Sequence, residues 1–422
     1  VTNLSDTNIV FSEYVKFIKN DDNTIIINGL SGVWGLIDAP MLDKVNYCID
    51  NKLAPISYIN SLKDDSSKKQ LTEVFKALID EDMLKNLNNK DFEISIKNVE
   101  FKLTNKCNLN CIHCAASSKI SNPDILNTQQ ILSILDKIFK LNIDELLLTG
   151  GEPLIRKDIK EILGYIKKNF NGTVNLITNG TLLDKEMAHI LKESVQSVSI
   201  SIDGYDESST EFVRGKGVYT KILQAVNNLK EAGFHKDTIL LSMTCTDQNF
   251  NHRDDFDKLC ENLNVTGFVR QFSALGRGLD NYKDLGLKDY LLLTQNSNTD
   301  LETIRENIEC KIFCKAGLVK LMIDDLGDLY PCLILDDKKY RLGNILTENF
   351  NDIFNSEKYA HFIKSQLKTS VVDNLSKCKN CNVRYFCMDR CLGMTNSYFD
   401  NDHICEERCK QIKPYLTKVL WS

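Results

Sequence analysis

Residues 99–114 read V-E-F-K-L-T-N-K-C-N-L-N-C-I-H-C. The stretch 99–104 is a strand candidate, and the loop after it places Cys107, Cys111 and Cys114 in a Cys-x3-Cys-x2-Cys spacing. Three thiolates on one short loop can hold three irons of a four-iron cluster, whose usual protein complement is four. The remaining iron then keeps an open position at which a ligand can bind the metal. A zinc site completed by His113 or another residue is the alternative, although zinc sites more often use ligands in pairs.

Working outward, apolar runs recur, each followed by an amphipathic helical pattern. The strand candidates after 99–104 are 145–149, 174–178, 197–202, 239–244 and 267–272, and helical patterns lie near 128–140, 158–169, 184–194, 218–232 and 253–263. Strands alternating with helices predict a parallel sheet with right-handed crossovers. Six units fall short of the eight of a closed barrel, so the fold class is α/β with a partial, open (β/α)6 TIM-like barrel. Reactive groups belong at the C-terminal ends of its strands. On this reading the barrel occupies residues 96–285, followed by a bridging region at 286–309.

Before the barrel, residues 1–95 form a small unit of their own. T-I-I-I-N-G (24–29) and G-V-W-G-L-I (32–37) suggest a hairpin, and helical patterns follow around 40–50 and 70–88. The polar run Lys63–Lys69 reads as a loop. Strands followed by short helices suit a winged-helix-like module. After the barrel, residues 310–422 are rich in cysteine, with few long periodic segments.

The chain has 422 residues, 42% hydrophobic and 26% charged, which is the make-up of a globular protein of two or three domains. No apolar stretch approaches the ~18 residues of a membrane helix, and the first residues lack the pattern of a signal peptide. A cytoplasmic protein with no membrane partner is expected. The net charge of −6, spread along the chain, argues against a nucleic-acid partner. Fifteen cysteines in such a chain point to metal or redox chemistry rather than disulfides. Cys48, Cys245 and Cys260 are scattered and read as small buried apolar residues.

The cysteine loop resembles the signature of the radical S-adenosylmethionine superfamily. That resemblance implies a [4Fe-4S] cluster on Cys107, Cys111 and Cys114 whose open iron binds the methionine part of S-adenosyl-L-methionine. It also implies one-electron cleavage of the cofactor to a 5′-deoxyadenosyl radical that takes hydrogen from a substrate. T-G-G-E-P, with Gly150, Gly151, Glu152 and Pro153, is similar to the family's element for the cofactor amino group. I-T-N-G with Asn179 and S-I-D-G with Ser201 and Asp203 match further cofactor positions, the latter around the ribose. Arg214 is a candidate partner for the cofactor carboxylate, since a guanidinium suits bidentate pairing. Thr246 and Asn249 are weaker candidates of structural character.

The second cysteine group reads Cys378-x2-Cys381-x5-Cys387-x3-Cys391, a spacing expected by chance only about 0.0007 times in a chain with fifteen cysteines. Upstream stand Cys314, Gly327 and Cys332, and downstream Cys405 and Cys409. The arrangement resembles the family's SPASM domain with its twin auxiliary [4Fe-4S] clusters, which makes three clusters in all. The resemblance implies Cys378, Cys381, Cys387 and Cys409 on an outer cluster. Cys314, Cys332 and Cys391 would hold an inner one, with Cys310 as its fourth ligand and Cys405 a rival to Cys409. It further implies a maturase of ribosomally synthesised precursor peptides, with the leader gripped by the N-terminal unit. Such an enzyme forms a crosslink such as a cysteine thioether, using a one-electron donor such as flavodoxin or ferredoxin. A formylglycine-generating sulfatase maturase and a non-catalytic zinc-binding scaffold are the alternatives.

Overall fold

A computed structural model of the chain describes residues 7–86, 95–286, 300–308, 310, 312–368, 371–387 and 402–422. The N-terminal unit is built on an antiparallel sheet of β2 (Val15–Asn20), β3 (Asn23–Asn28) and β4 (Trp34–Asp38), in that order. Helices α1 (Ala39–Asp50), α2 (Pro55–Ser61) and α3 (Asp65–Asp80) follow and cover one face. Strands β1 (Ile9–Phe11) and β5 (Leu84–Asn86) pair antiparallel beside them.

The expected hairpin is present, but two expectations here are corrected. The polar run 63–69 is not all loop: Asp64 accepts from Ser66 N and Ser67 N, and this cap starts α3 at Asp65. The helical pattern at 70–88 stops at Asp80, because Leu84–Asn86 is claimed by pairing with β1. Short α2, started by Pro55, is not legible from periodicity.

The barrel strands are β6 (Asn98–Lys102), β7 (Glu145–Thr149), β8 (Thr173–Thr178), β9 (Ser197–Ser201), β10 (Ile239–Cys245) and β11 (Thr266–Gln271). They pair in parallel in that order, as one open sheet. The intervening helices are α4 (Thr128–Phe139), α5 (Ile159–Asn169), α6 (Lys185–Ser194), α7 (Glu207–Arg214), α8 (Val218–Glu231) and α9 (Arg253–Asn262). Their apolar residues recur at helical spacing. In α4 these are Ile131, Ile134, Leu135 and Ile138, all fully buried, behind a capping box of Asn127 and Gln130. They pack on Leu146, Leu148, Leu176, Val198 and Ile200 from the outward face of the strands. Each such buried side chain contributes about 1.5–3 kcal/mol.

The sheet does not end at β6. Strand β12 (Lys320–Ile323) pairs with it in parallel, and β13 (Asp328–Tyr330) and β14 (Gly343–Asn344) continue antiparallel. The cysteine-rich region is thus built into the barrel sheet. Gly327 makes the tight β12–β13 turn with φ +80°.

Candidate active site

Alternation along each strand sends every second residue inward, and the ladder register aligns those residues across the sheet. Glu100 stands opposite Met322 and Leu147, Lys102 opposite Thr149, Ile177 opposite Ser199, Ser242 opposite Ser201, and Thr244 opposite Arg270. Above them lies a cavity of about 1060 Å³. Its wall includes Cys107, Cys111 and Cys114 on one side, Cys314 and Cys332 on another, and Leu30 and Ser31 from the N-terminal hairpin. The hairpin is held there by Phe313 N donating to Gly29 O at 3.0 Å.

The cysteine loop is pinned from several elements. Gly151 N donates to Thr104 O at 2.7 Å, Glu152 N to Lys106 O at 2.9 Å, and Ile112 N to Val213 O at 3.1 Å. From beyond β11, Arg277 donates through Nε to Cys111 O and through Nη1 to Ser118 O, each at 2.9 Å. Arg277 N also donates to Cys114 O at 3.0 Å. Sequence reading does not single out this clamp; its one signal is Gly276-Arg277-Gly278 just past the last barrel strand. Gly276 has φ +50°, and a Cβ there would lie 2.3 Å from Ala115 O.

Gly150 and Gly151 both line the cavity, but their strictest constraint is the backbone beneath it. A Cβ on Gly150 would lie 2.5 Å from Thr104 O, and one on Gly151 2.3 Å from Lys106 O. Glu152 stands behind that wall, fully buried. Its Oε1 accepts from Leu154 N at 3.0 Å and Thr178 Oγ1 at 2.8 Å, and its Oε2 from Asn179 N at 2.7 Å. Burial pushes its carboxyl up, against the pull of those bonds. Pro153 opens the short turn Pro153–Ile155 alongside and, like Glu152, does not line the cavity. Asn179 does line it, with Nδ2 donating to Asn108 Oδ1 at 2.9 Å and 3.8 Å from Cys107 Sγ.

Ser201 and Arg214 also face the cavity, whereas Asp203 sits behind Arg214. Asp203 Oδ2 is 2.5 Å from Arg214 Nη2 and 2.9 Å from His113 Nε2, and Oδ1 accepts from Thr244 N at 2.7 Å. Burial alone would raise the Asp203 carboxyl, but the Arg214 and His113 charges outweigh it and hold it well below the usual carboxylate range. Helix α7, which brings Arg214 to this point, is too short and polar to stand out by periodicity, and only the motif around Arg214 marks this stretch in the sequence. Asn249 ties off the end of β10, accepting from Thr246 N at 2.8 Å and donating to Thr244 O at 2.9 Å.

In the cysteine-rich region Cys332 is buried, and burial, with Cys314 close by, pushes its thiol up to about 12. Cys310 takes another position. It is fully buried in an apolar cluster with Val383 and Tyr385, against which Cys378, Cys381 and Cys387 pack, and its Sγ lies 3.5 Å from Tyr385 O. Cys310 is therefore on the side of the four-cysteine string, while Cys314 and Cys332 face the cavity. Cys409 is exposed on the helix Asp402–Trp421. Cys391 and the Cys405 side chain lie outside the described residues. Cys48, Cys245 and Cys260 are buried, as expected of small apolar residues.

The donors suit an iron–sulfur cluster and a charged cofactor. Cys107 and Cys111 are buried thiols beside a cavity, and burial pushes Cys107 up to about 11, so metal binding would release protons. Among the described residues, no three His, Cys, Asp or Glu side chains are grouped to hold a single ion. A cluster instead takes each thiolate on its own iron. Arg214 Nε and His113 Nδ1 are buried without a hydrogen-bond partner among the described residues, next to the cysteines.

Comparison with known proteins agrees with this geometry. Residues 101–260 match the radical SAM superfamily, and residues 314–382 match an iron–sulfur cluster-binding domain, SPASM. The mycofactocin maturase MftC of Mycolicibacterium smegmatis is 33% identical over 265 residues, covering 59% of this chain and 67% of the relative. The antilisterial bacteriocin subtilosin biosynthesis protein AlbA of Bacillus subtilis is 26% identical over 268 residues, 61% of this chain and 59% of that one. Among solved structures, Streptococcus suis SuiB bound to S-adenosylmethionine superimposes with a TM-score of 0.54 at 15% identity, covering 93% of this chain and 97% of that one. Among the described residues, no helix is long and apolar enough to cross a membrane.

Proposed function

Since this chain is an enzyme of the radical S-adenosylmethionine superfamily with a SPASM iron–sulfur domain, we propose that it matures a ribosomally synthesised precursor peptide by crosslinking it, a cysteine thioether being the first candidate bond. The observation that carries this reading is the single cavity walled by the cysteine loop, by Cys314 and Cys332, and by the N-terminal hairpin. When bound, the cluster and S-adenosylmethionine supply a carbon radical that takes a hydrogen atom from the substrate.

The chain's own residues do the rest. Cys107, Cys111 and Cys114 would hold the cluster, and the Arg277 clamp keeps their loop in one shape. Arg214, with Ser201 and the Gly150–Gly151 backbone, lines the cavity and would face the cofactor's charged and polar groups. Asp203 and His113 act as positioning residues, holding the Arg214 fork in one orientation. Glu152 positions the turn that carries the two glycines and Asn179. Cys314, Cys332 and Cys391 are assigned to an inner auxiliary cluster; Cys310, expected as its fourth ligand, packs on the side of the four-cysteine string and is left out of it. Cys378, Cys381, Cys387 and Cys409 are assigned to an outer one.

The names of the relatives support a peptide substrate. They include a mycofactocin maturase, a bacteriocin biosynthesis protein and SuiB, which has been solved bound to its precursor peptide SuiA. The N-terminal unit, winged-helix-like in its strands-then-helices order, would take the leader by adding a strand to an edge of its sheet, where β2 and β4 are the outer strands. Val33 and Leu36 are exposed along the β4 side. An electron donor such as flavodoxin or ferredoxin and a reducing cytoplasm complete the scheme.

Anaerobic reconstitution tests it. About twelve irons per chain, falling to about eight in a Cys107/Cys111/Cys114→Ala variant, is the expected outcome. With precursor peptide, the crosslinked product loses two hydrogens by mass. Stoichiometric zinc without iron would overturn the reading, and conversion of a sulfatase cysteine to formylglycine would favour the sulfatase-maturing alternative.

A further inference from the structure

The charges on the cavity wall do not balance. Lys102 lies 3.8 Å from Asp325, Lys320 is 3.9 Å from Glu100, and Arg214 is paired with Asp203. Arg277 spends its donors on backbone carbonyls of the cysteine loop. Arg270 differs from all of these. It lines the cavity from β11, its guanidinium lies 4.9 Å from the Phe268 ring centroid, and among the described residues it makes no side-chain hydrogen bond or ion pair. Burial, followed by the like charge of Arg214, works against its positive form, and the charges of Asp203 and Glu100 only partly offset this.

A half-buried guanidinium with free donors is costly unless something anionic meets it. Stacking on Phe268 leaves the planar fork open for a bidentate carboxylate. The Glu100 carboxylate is drawn instead towards Lys320 and Leu333 N. Arg270 lines the same cavity wall as Arg214 and Glu100, and Glu100 in turn accepts from Leu333 N, next to Cys332.

We propose that Arg270 is a specificity-determining residue that binds a carboxylate of the peptide substrate, so that the modified segment carries an aspartate, a glutamate or its own C-terminus at this point. The proposal rests on the peptide-maturase reading and adds the chemical class of the residue read in the cavity. The cofactor carries a carboxylate too, and the two sources give different results.

Selection of a random-dodecapeptide display library on reconstituted protein separates them. Wild type should enrich acidic residues over their amides about tenfold at one position, Arg270→Gln should lose that preference, and Arg270→Glu should turn it towards lysine and arginine. Arg270→Lys should retain a weaker acidic preference, and reconstituted iron content checks that each variant is folded. In parallel, equilibrium dialysis of S-adenosylmethionine should give affinities within twofold for wild type and Arg270→Gln. A tenfold loss of cofactor affinity would assign Arg270 to the cofactor and overturn the proposal. Equal acidic enrichment in all pools would overturn it while leaving the peptide reading intact, whereas failure of wild type to enrich any peptide would overturn both.

Discussion

Replacing Gly151 by alanine tests how the cysteine loop is built. The added Cβ would lie 2.3 Å from Lys106 O, about 1 Å inside the closest normal approach of carbon to oxygen. Opening the gap by that much breaks Gly151 N to Thr104 O, now 2.7 Å, and Glu152 N to Lys106 O, now 2.9 Å. Each lost bond costs about 1 kcal/mol, and a peptide group left buried without a partner costs about 1–3 kcal/mol. The sum, about 3–5 kcal/mol, is a large part of the stability of an ordinary domain. Gly164→Ala in α5 is the matched control: nothing lies within 4 Å of its Cβ position, and exchanging a helical glycine for alanine stabilises by up to about 1 kcal/mol. The assay is the urea midpoint of cluster-free protein, followed by iron content after reconstitution. Gly151→Ala should lower both and Gly164→Ala should lower neither. A Gly151→Ala variant with wild-type midpoint and full iron would refute the view that this close backbone crossing shapes the loop.

Arg277→Met should leave the unfolding free energy within about 2 kcal/mol of wild type, since the side chain is only half-buried, but reduce iron retained by the barrel loop; unchanged iron would count against the clamp. Asp203→Asn leaves Arg214 facing a neutral amide, so a loss of about 3–5 kcal/mol and weaker S-adenosylmethionine binding are expected by urea titration and dialysis; a silent variant would rule out the positioning role. Asp324→Asn should stabilise at pH 8 and be near neutral at pH 4. Burial raises the Asp324 carboxyl to about 6, so its favourable contribution is full below the unfolded value near 4 and is lost as pH rises through about 6. The hydrogen bonds to its side chain from Leu326 N and Asp328 N both fall on Oδ1, an oxygen that asparagine keeps. An equal effect of this substitution at both pH values would refute the assignment.

The sequence by itself determined the local parts. Barrel strands and most of their helices are legible because apolar residues repeat with the period of each element, and the buried stripes of α4 and the outward leucines of β7 are that pattern read directly. Cysteine spacing on a loop of eight residues is likewise local, so the cluster-bearing segment is visible before any fold is known. Only the tertiary structure decided what those parts face. Strand β12, four residues long and without a periodic signal, extends the barrel sheet through its partner β6, and this brings Cys332 and Cys314 to the cavity that Cys111 also lines. Glu152 and Asp203 have the residue types of a binding site, yet packing turns them behind the wall, where they orient Asn179 and Arg214. Arg277 and Arg270 carry no motif. Their places come from strand register and from contacts more than a hundred residues apart in sequence, as between Arg277 and Cys111, which no local pattern encodes.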